Sequence, residues 1–152
     1  MFSVFAKSQE YWQSPVRAVL VYDQGMDPSV APTELIGIYD ADSTLWGELS
    51  YWVGARLGVK HCELCDITHG TFREKSQWRM CVEQLPVSFS TFHRNDAPPD
   101  VHAELQGQYP CIAARSNSGV VEFVSSVELA TCAASPDALL ELLLQRLAEH
   151  GI

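Results

Sequence analysis

The hydrophobic and polar positions along the chain predict a domain in which strands and helices alternate. The apolar run 34–39 (Glu-Leu-Ile-Gly-Ile-Tyr) predicts a buried strand. A helix is predicted to follow as far as Gly58, with Asp42 or Ser43 as its N-cap. Its apolar residues recur at helical spacing: Leu45, Leu49, Trp52, Val53 and Leu57. The stretch 59–67 predicts a second strand or an extended loop, which Gly70 ends.

The rest of the chain continues in short elements. Residues 73–85 predict a helix that Pro86 closes, and the alternation over 87–92 predicts a half-buried strand. One or two helical turns are expected at 101–105. Strands are expected at 109–114 and 120–124, joined by a hairpin-type turn. A capping box at 125–128 and a Ser-Pro start at 135–136 predict the last two helices, the second running to about residue 150. A mixed sheet covered by helices is the simplest α/β arrangement for this order.

The first part of the chain has a different pattern. Residues 1–33 carry apolar and aromatic side chains without a sustained period, so we interpret them as an N-terminal extension of a main domain, 34–152. The extension is expected to complete the core. An alternative is that its aromatic residues form an association patch that joins two copies in a homodimer.

Composition excludes several classes of partner. The 152 residues fit one domain, and the net charge of −9 argues against binding to nucleic acid or to anionic membranes. No apolar run has the length of a membrane span, and the first residues lack the apolar region of a signal peptide. A cytoplasmic, reducing location is therefore the default expectation.

Residues 61–70 (His-Cys-Glu-Leu-Cys-Asp-Ile-Thr-His-Gly) concentrate the candidate chemistry. They hold two of the five cysteines and two of the five histidines, in the spacing C-x2-C-x3-H. Thiolate and imidazole together suit zinc, which proteins usually bind with four ligands. The first hypothesis is therefore a structural or catalytic zinc site formed by Cys62, Cys65 and His69. The fourth ligand would be His61, Cys81, His93 or a water molecule.

The same stretch supports two other interpretations. Cys62 and Cys65 can form a reversible disulfide, with His61 stabilising the Cys62 thiolate, which would make the protein a thiol-disulfide oxidoreductase. The acidic neighbours Glu63 and Asp66 act against this activity because they raise thiol pKa values. Alternatively, both cysteines are small buried apolar residues of a non-catalytic interaction module.

The order of elements resembles the thioredoxin-like fold. That resemblance implies a cis peptide bond before the strand that leads into the final hairpin, here Tyr109–Pro110. The stretch 39–42 (Tyr-Asp-Ala-Asp) also resembles the start of the DCC-type thiol-disulfide motif, Tyr-Asp-Gly-x-Cys-x-x-Cys. Ser43 and Trp46 stand where that family has its cysteines. The chain is also similar to uncharacterised bacterial proteins that carry His-Cys-x-Leu-Cys-Asp-x-Thr-His-Gly.

The remaining candidates have ordinary structural interpretations. Asp40 and Asp42 follow the first strand and suit Mg²⁺, but a helix cap is the favoured role. Burial in helices or strands is expected for the other three cysteines, Cys81, Cys111 and Cys132. Exposure to solvent is expected for the isolated histidines His93, His102 and His150. No nucleotide-binding or serine-hydrolase motif occurs.

Overall fold

A computed structural model describes residues 30–43, 62–70 and 73–152. The helix predicted after Ser43, most of the predicted extension 1–33, and His61 and Trp46 lie outside these residues. The predicted homodimer contact of the extension lies outside them as well. Among the described residues, none of the helices combines the length and the apolar character that crossing a membrane requires.

The described fold is α/β, with a four-stranded mixed sheet flanked by helices. The strands are β1 (Glu34–Tyr39), β2 (Ser88–His93), β3 (Cys111–Ser116) and β4 (Gly119–Val124), in the order β2-β1-β3-β4. β1 pairs in parallel with β2 and antiparallel with β3, which pairs antiparallel with β4. β1 is therefore a central strand, as its continuous apolar sequence predicts.

The helices cover both faces of this sheet. They are α1 (Glu63–Thr68), α2 (Ser76–Val82), α3 (Pro99–Leu105), α4 (Ser126–Thr131) and α5 (Pro136–Glu149). Side chains of α1, α2, α4 and α5 form the main core with one face of the sheet, and α3 packs a smaller core on the other face. Strand residues alternate between the two cores, with Leu35 and Tyr39 in the main core and Ile36 and Ile38 in the smaller one.

The stretch 59–67 was predicted as a strand or loop, and this prediction is wrong for its described part, because Glu63–Thr68 form α1. Leu64, Ile67 and Thr68 are buried at i, i+3 and i+4, which is helical spacing. Gly37 of β1 lets this helix approach the sheet. A Cβ atom on Gly37 would lie 3.2 Å from Phe89 Cζ and 3.3 Å from Leu64 Cδ2. A six-residue helix contains too few positions for its period to be recognised in the sequence.

Most of the other boundaries agree with the sequence pattern. α2 ends at Val82, three residues before the predicted end. Residues 84 and 85 continue as a tighter turn, since their N–H groups bond to the carbonyls three residues earlier. The capping box predicted for the start of α4 is present, and Ser135 caps α5, whose first residue is Pro136. The Tyr109–Pro110 bond is cis, as the resemblance implied.

The link between α4 and α5 contains two consecutive alanines with left-handed backbone angles. Ala133 has φ 49° and Ala134 has φ 60°. This conformation costs roughly 1–2 kcal/mol for a residue with a Cβ atom, and glycine adopts it without that cost. The Ala134 carbonyl accepts a hydrogen bond from Lys75 Nζ at 3.1 Å, so the conformation of the link also positions the start of α2.

We expect Ala134→Gly to raise the free energy of unfolding by about 0.5–1 kcal/mol, because relief of the backbone strain exceeds the added entropy of the unfolded chain. Urea denaturation monitored by circular dichroism measures the change. Ala130→Gly is the matched control, since Ala130 is exposed within helix α4, and glycine there should destabilise by a similar amount. Destabilisation by both substitutions would contradict the strain assigned to Ala134.

Candidate functional site

Cys62 and Cys65 lie at the start of α1 and are joined by a disulfide, with their Cα atoms 5.2 Å apart. Cys62 is the N-cap residue of the helix, and its Sγ accepts a hydrogen bond from the Cys65 N–H at 3.4 Å. Both cysteines are half-buried. The structure therefore brings together the two sulfur atoms that the spacing C-x2-C singled out, at a helix terminus that is accessible from solvent.

The other three cysteines lie inside the fold, as predicted. Cys81, Cys111 and Cys132 are free and buried. Burial raises the pKa of the Cys111 thiol to about 12, with Glu122 adding to the shift. Burial also raises the pKa values of Cys81 and Cys132. Cys62 and Cys65 are consequently the two cysteines in this chain that solvent reaches.

His69 lies at the opposite end of α1 from Cys62. Its N–H donates to the Cys65 carbonyl at 2.8 Å, and its backbone forms an antiparallel bridge with Glu74. Among residues 30–43, 62–70 and 73–152, no three side chains of His, Cys, Asp or Glu form a group that could hold a metal ion. Cys62, Cys65 and His69 therefore do not form a three-ligand set there. The zinc site stays a prediction, because the further ligand candidate His61 lies outside the described residues.

The buried hydroxyl of Thr68 is hydrogen-bonded to the His69 ring. Thr68 Oγ1 donates to the Leu64 carbonyl at 2.8 Å and so uses its single hydrogen. It also lies 2.8 Å from His69 Nδ1 and 3.1 Å from the Tyr39 hydroxyl, and it must accept both of these hydrogen bonds. We therefore expect His69 Nδ1 to carry a hydrogen, with the lone pair of the neutral ring on Nε2.

Two histidines flank the Tyr39 ring. The ring centroids of His69 and His93 lie 5.5 Å and 5.6 Å from that of Tyr39. His93 was expected to be exposed, but its side chain is 22% exposed, and its Nδ1 lies 3.3 Å from a carboxylate oxygen of Asp96. Burial lowers the pKa of His69; the charge of Glu74 opposes this, and that of His93 adds to it. The histidine pair arises from the parallel register, which places His93 beside Tyr39.

Asp40 and Asp42 share the guanidinium group of Arg94. Arg94 donates two hydrogen bonds of 2.8 Å to Asp42 and one of 3.2 Å to Asp40. The hydrogen bonds from Arg94 hold the pKa of Asp42 below its ordinary value. The backbone N–H of Ser43, which stands at a cysteine position of the DCC-type motif, donates to Asn95 Oδ1 at 2.9 Å. Sequence reasoning missed Arg94, because its role depends on the pairing of β1 with β2.

We expect the pKa of His69 in the folded protein to lie below the ordinary value of 6.5, since partial burial disfavours the imidazolium ion. The unfolded chain then binds more protons than the folded one just below this pH. The free energy of unfolding should therefore fall as the pH drops from about 7 to about 5.5. Histidine ¹H–¹⁵N NMR titration measures the pKa and shows whether Nδ1 carries the hydrogen.

His69→Gln is the control for this pH dependence, because it removes the titrating ring and retains a polar side chain. Urea denaturation of the variant across the same pH range should give a smaller slope of stability against pH. A His69 pKa at or above 6.5, or an Nε2-protonated neutral ring, would contradict the environment described for His69.

The comparisons with known proteins found no relative of this chain. No protein-family model matches the chain, and no curated protein and no solved structure is detectably similar to it. The functional argument therefore depends on the residues and geometry of the chain itself.

Proposed function

We propose that this protein carries out thiol–disulfide exchange with the Cys62–Cys65 pair on a thioredoxin-like scaffold. The observation that carries the proposal is the disulfide at the N-cap of α1, between two half-buried cysteines. A structural disulfide would gain little here, since it closes a loop of very few residues and constrains the unfolded chain weakly. In a reducing compartment, such a pair is more often redox-active than structural.

In the proposed reaction, the reduced pair transfers two electrons to the disulfide of a partner. The Cys62 thiolate attacks one partner sulfur, forming a mixed disulfide and releasing the second partner sulfur as a thiolate, which takes up a proton. The Cys65 thiolate then attacks Cys62 Sγ, which restores the Cys62–Cys65 bond and releases the first partner sulfur. The partner becomes a dithiol, and the protein ends as the disulfide.

Cys62 is assigned as the attacking residue because of the hydrogen bond that reaches its sulfur. The Cys65 N–H donates to Cys62 Sγ at 3.4 Å, and such a donor favours a thiolate over a thiol. Glu63 and Asp66 act in the opposite direction, because carboxylates near a thiol raise its pKa.

The arrangement of the sheet supports the thioredoxin-like part of the proposal. The sheet has the parallel pair β1 and β2 at one side and the antiparallel hairpin β3–β4 at the other, and the hairpin is entered through the cis Tyr109–Pro110 bond. The proposal departs from the DCC-type pattern in the position of the cysteines. Position 43, in the segment that follows β1, holds a serine, and the cysteine pair lies further along the chain, at the start of α1.

We expect the protein to accelerate insulin reduction by dithiothreitol, because the Cys62–Cys65 pair relays electrons to the insulin disulfides. Cys62→Ser should lower the rate to that of dithiothreitol alone. Cys132→Ala is the matched control: it removes a buried cysteine outside the pair and should retain the activity. The turbidity of precipitating insulin chains measures the rate. Equal rates for the wild type and Cys62→Ser would exclude the proposed exchange activity.

Zinc binding, the first hypothesis from the sequence, remains a prediction for the reduced form of the Cys62–Cys65 pair. It requires both sulfurs as thiolates, so it applies to the dithiol form and not to the disulfide. Protein purified without a histidine tag and kept reduced should then carry close to one equivalent of zinc by elemental analysis, and Cys65→Ser should lose it. Less than about a tenth of an equivalent, with all thiols intact by mass spectrometry, would exclude this prediction.

A further inference from the structure

A second candidate site lies on the face of the sheet that α3 covers, away from the main core that contains α1. It is a pocket of about 320 Å³ beyond the carboxyl ends of the parallel strands β1 and β2. The described residues that line it are Asp40, Arg94, His102, Gly107 and Tyr109. Crevices at this end of an open α/β sheet are the usual place for small ligands, because loops rather than strands form their walls.

The charges at this pocket are not balanced. Arg94 is held by Asp42, which accepts two hydrogen bonds of 2.8 Å from its Nε and Nη2 atoms. Asp40 receives one longer hydrogen bond of 3.2 Å from Nη1. Two carboxylates therefore face one guanidinium, and the geometry assigns most of the compensating charge to Asp42. Asp40, which lines the pocket, is left with a largely uncompensated negative charge.

The second oxygen of Asp40 strengthens this conclusion. The Asp40 side chain is 14% exposed, and the hydrogen bond from Arg94 reaches Oδ1. Its Oδ2 accepts no hydrogen bond from the residues that the structure describes. Oδ2 is open to solvent, since no buried side-chain oxygen of the described residues lacks a hydrogen-bond partner, so a ligand that supplies a charged N–H group can reach it.

The rest of the pocket leaves room for such a ligand. His102 Nδ1 and the Tyr109 hydroxyl are hydrogen-bonded to each other at 3.1 Å, so their polar atoms form one fixed wall. Gly107 has φ +84°, and a Cβ atom at this position would meet no atom of the residues that the structure describes within 4 Å. The described lining therefore combines the Asp40 carboxylate and the Arg94 guanidinium with the wall formed by His102 and Tyr109, and it is open beside Gly107.

We propose that this pocket binds a small organic cation, a primary ammonium compound, with Asp40 as its charge partner. An ammonium group bound to Oδ2 supplies the positive charge that Arg94 does not provide there. The Tyr109 side chain supplies apolar and aromatic contact area for the body of the ligand. The site is separate from the Cys62–Cys65 pair, so the proposal holds or fails independently of thiol–disulfide exchange.

A matched set of probes tests whether a ligand of this pocket must carry a positive charge. Benzylamine, benzyl alcohol and benzoate have similar size and differ in charge, and each is titrated into ¹⁵N-labelled full-length protein and followed by NMR. Benzylamine is expected to shift the amide signals of Arg94, Gly107 and Tyr109 in a saturable manner. Benzyl alcohol should bind at least about fivefold more weakly, as expected for loss of a charged hydrogen bond, and benzoate should not bind.

Two variants with the same change in net charge separate local from general electrostatics. Asp40→Asn should weaken benzylamine binding at least about fivefold, since it neutralises the charge partner. Glu104→Gln removes one negative charge from an exposed residue of α3 that does not line the pocket, and it should leave the affinity nearly unchanged. Thermal unfolding of both variants checks that each is folded.

Several outcomes would overturn the proposal. These are the absence of saturable shifts with benzylamine, binding of benzoate as tight as that of benzylamine, and equal weakening by Asp40→Asn and Glu104→Gln. Should Asp40→Asn fail to fold, the comparison of benzylamine with benzoate on the wild-type protein still decides the charge preference.

Discussion

The close contact of Leu64 with Gly37 is the constraint on which the rest of the site depends. Because Gly37 has no side chain, α1 lies against β1, with Leu64 Cδ2 within 3.3 Å of the position that a Cβ atom would take. That approach puts Thr68 within hydrogen-bonding distance of Tyr39 on the same strand. It also fixes where the N-terminus of α1, and with it the cysteine pair, stands relative to the sheet.

The sequence predicted the elements in which the pattern of apolar and polar residues matches the pattern of burial. β1 is apolar along its length because it is buried on both faces, and α5 has leucines at helical spacing because one face packs on the sheet. Caps at Ser125 and Ser135 marked the starts of the last two helices. α1 was missed because six residues hold fewer than two helical turns, and its burial comes from packing over Gly37 rather than from its own pattern.

The candidate site was predictable where residues are close in sequence and unpredictable where the sheet register brings them together. The spacing of Cys62 and Cys65 indicated that their sulfurs meet, and one helical turn is sufficient for that. The contacts of Arg94 with Asp40 and Asp42, and of His93 with Tyr39, cross more than fifty residues of sequence. They follow from the pairing of Tyr39 with His93, and a single-residue shift in that register would remove them.

The anchoring of α1 bears on the proposed opening of its disulfide. The helix is too short to be stable alone, so it depends on tertiary contacts, and these lie mostly towards its C-terminal end. Lys75 Nζ donates to the Asp66 carbonyl at 2.5 Å, and the Lys75 N–H donates to the Thr68 carbonyl at 2.8 Å. Leu64 and Ile67 are fully buried. None of these contacts uses a cysteine sulfur, whereas Cys62 Sγ caps α1 and both cysteines pack against the main core. The contacts near the C-terminal end of α1 would therefore continue to support it in the dithiol form that the proposed exchange requires.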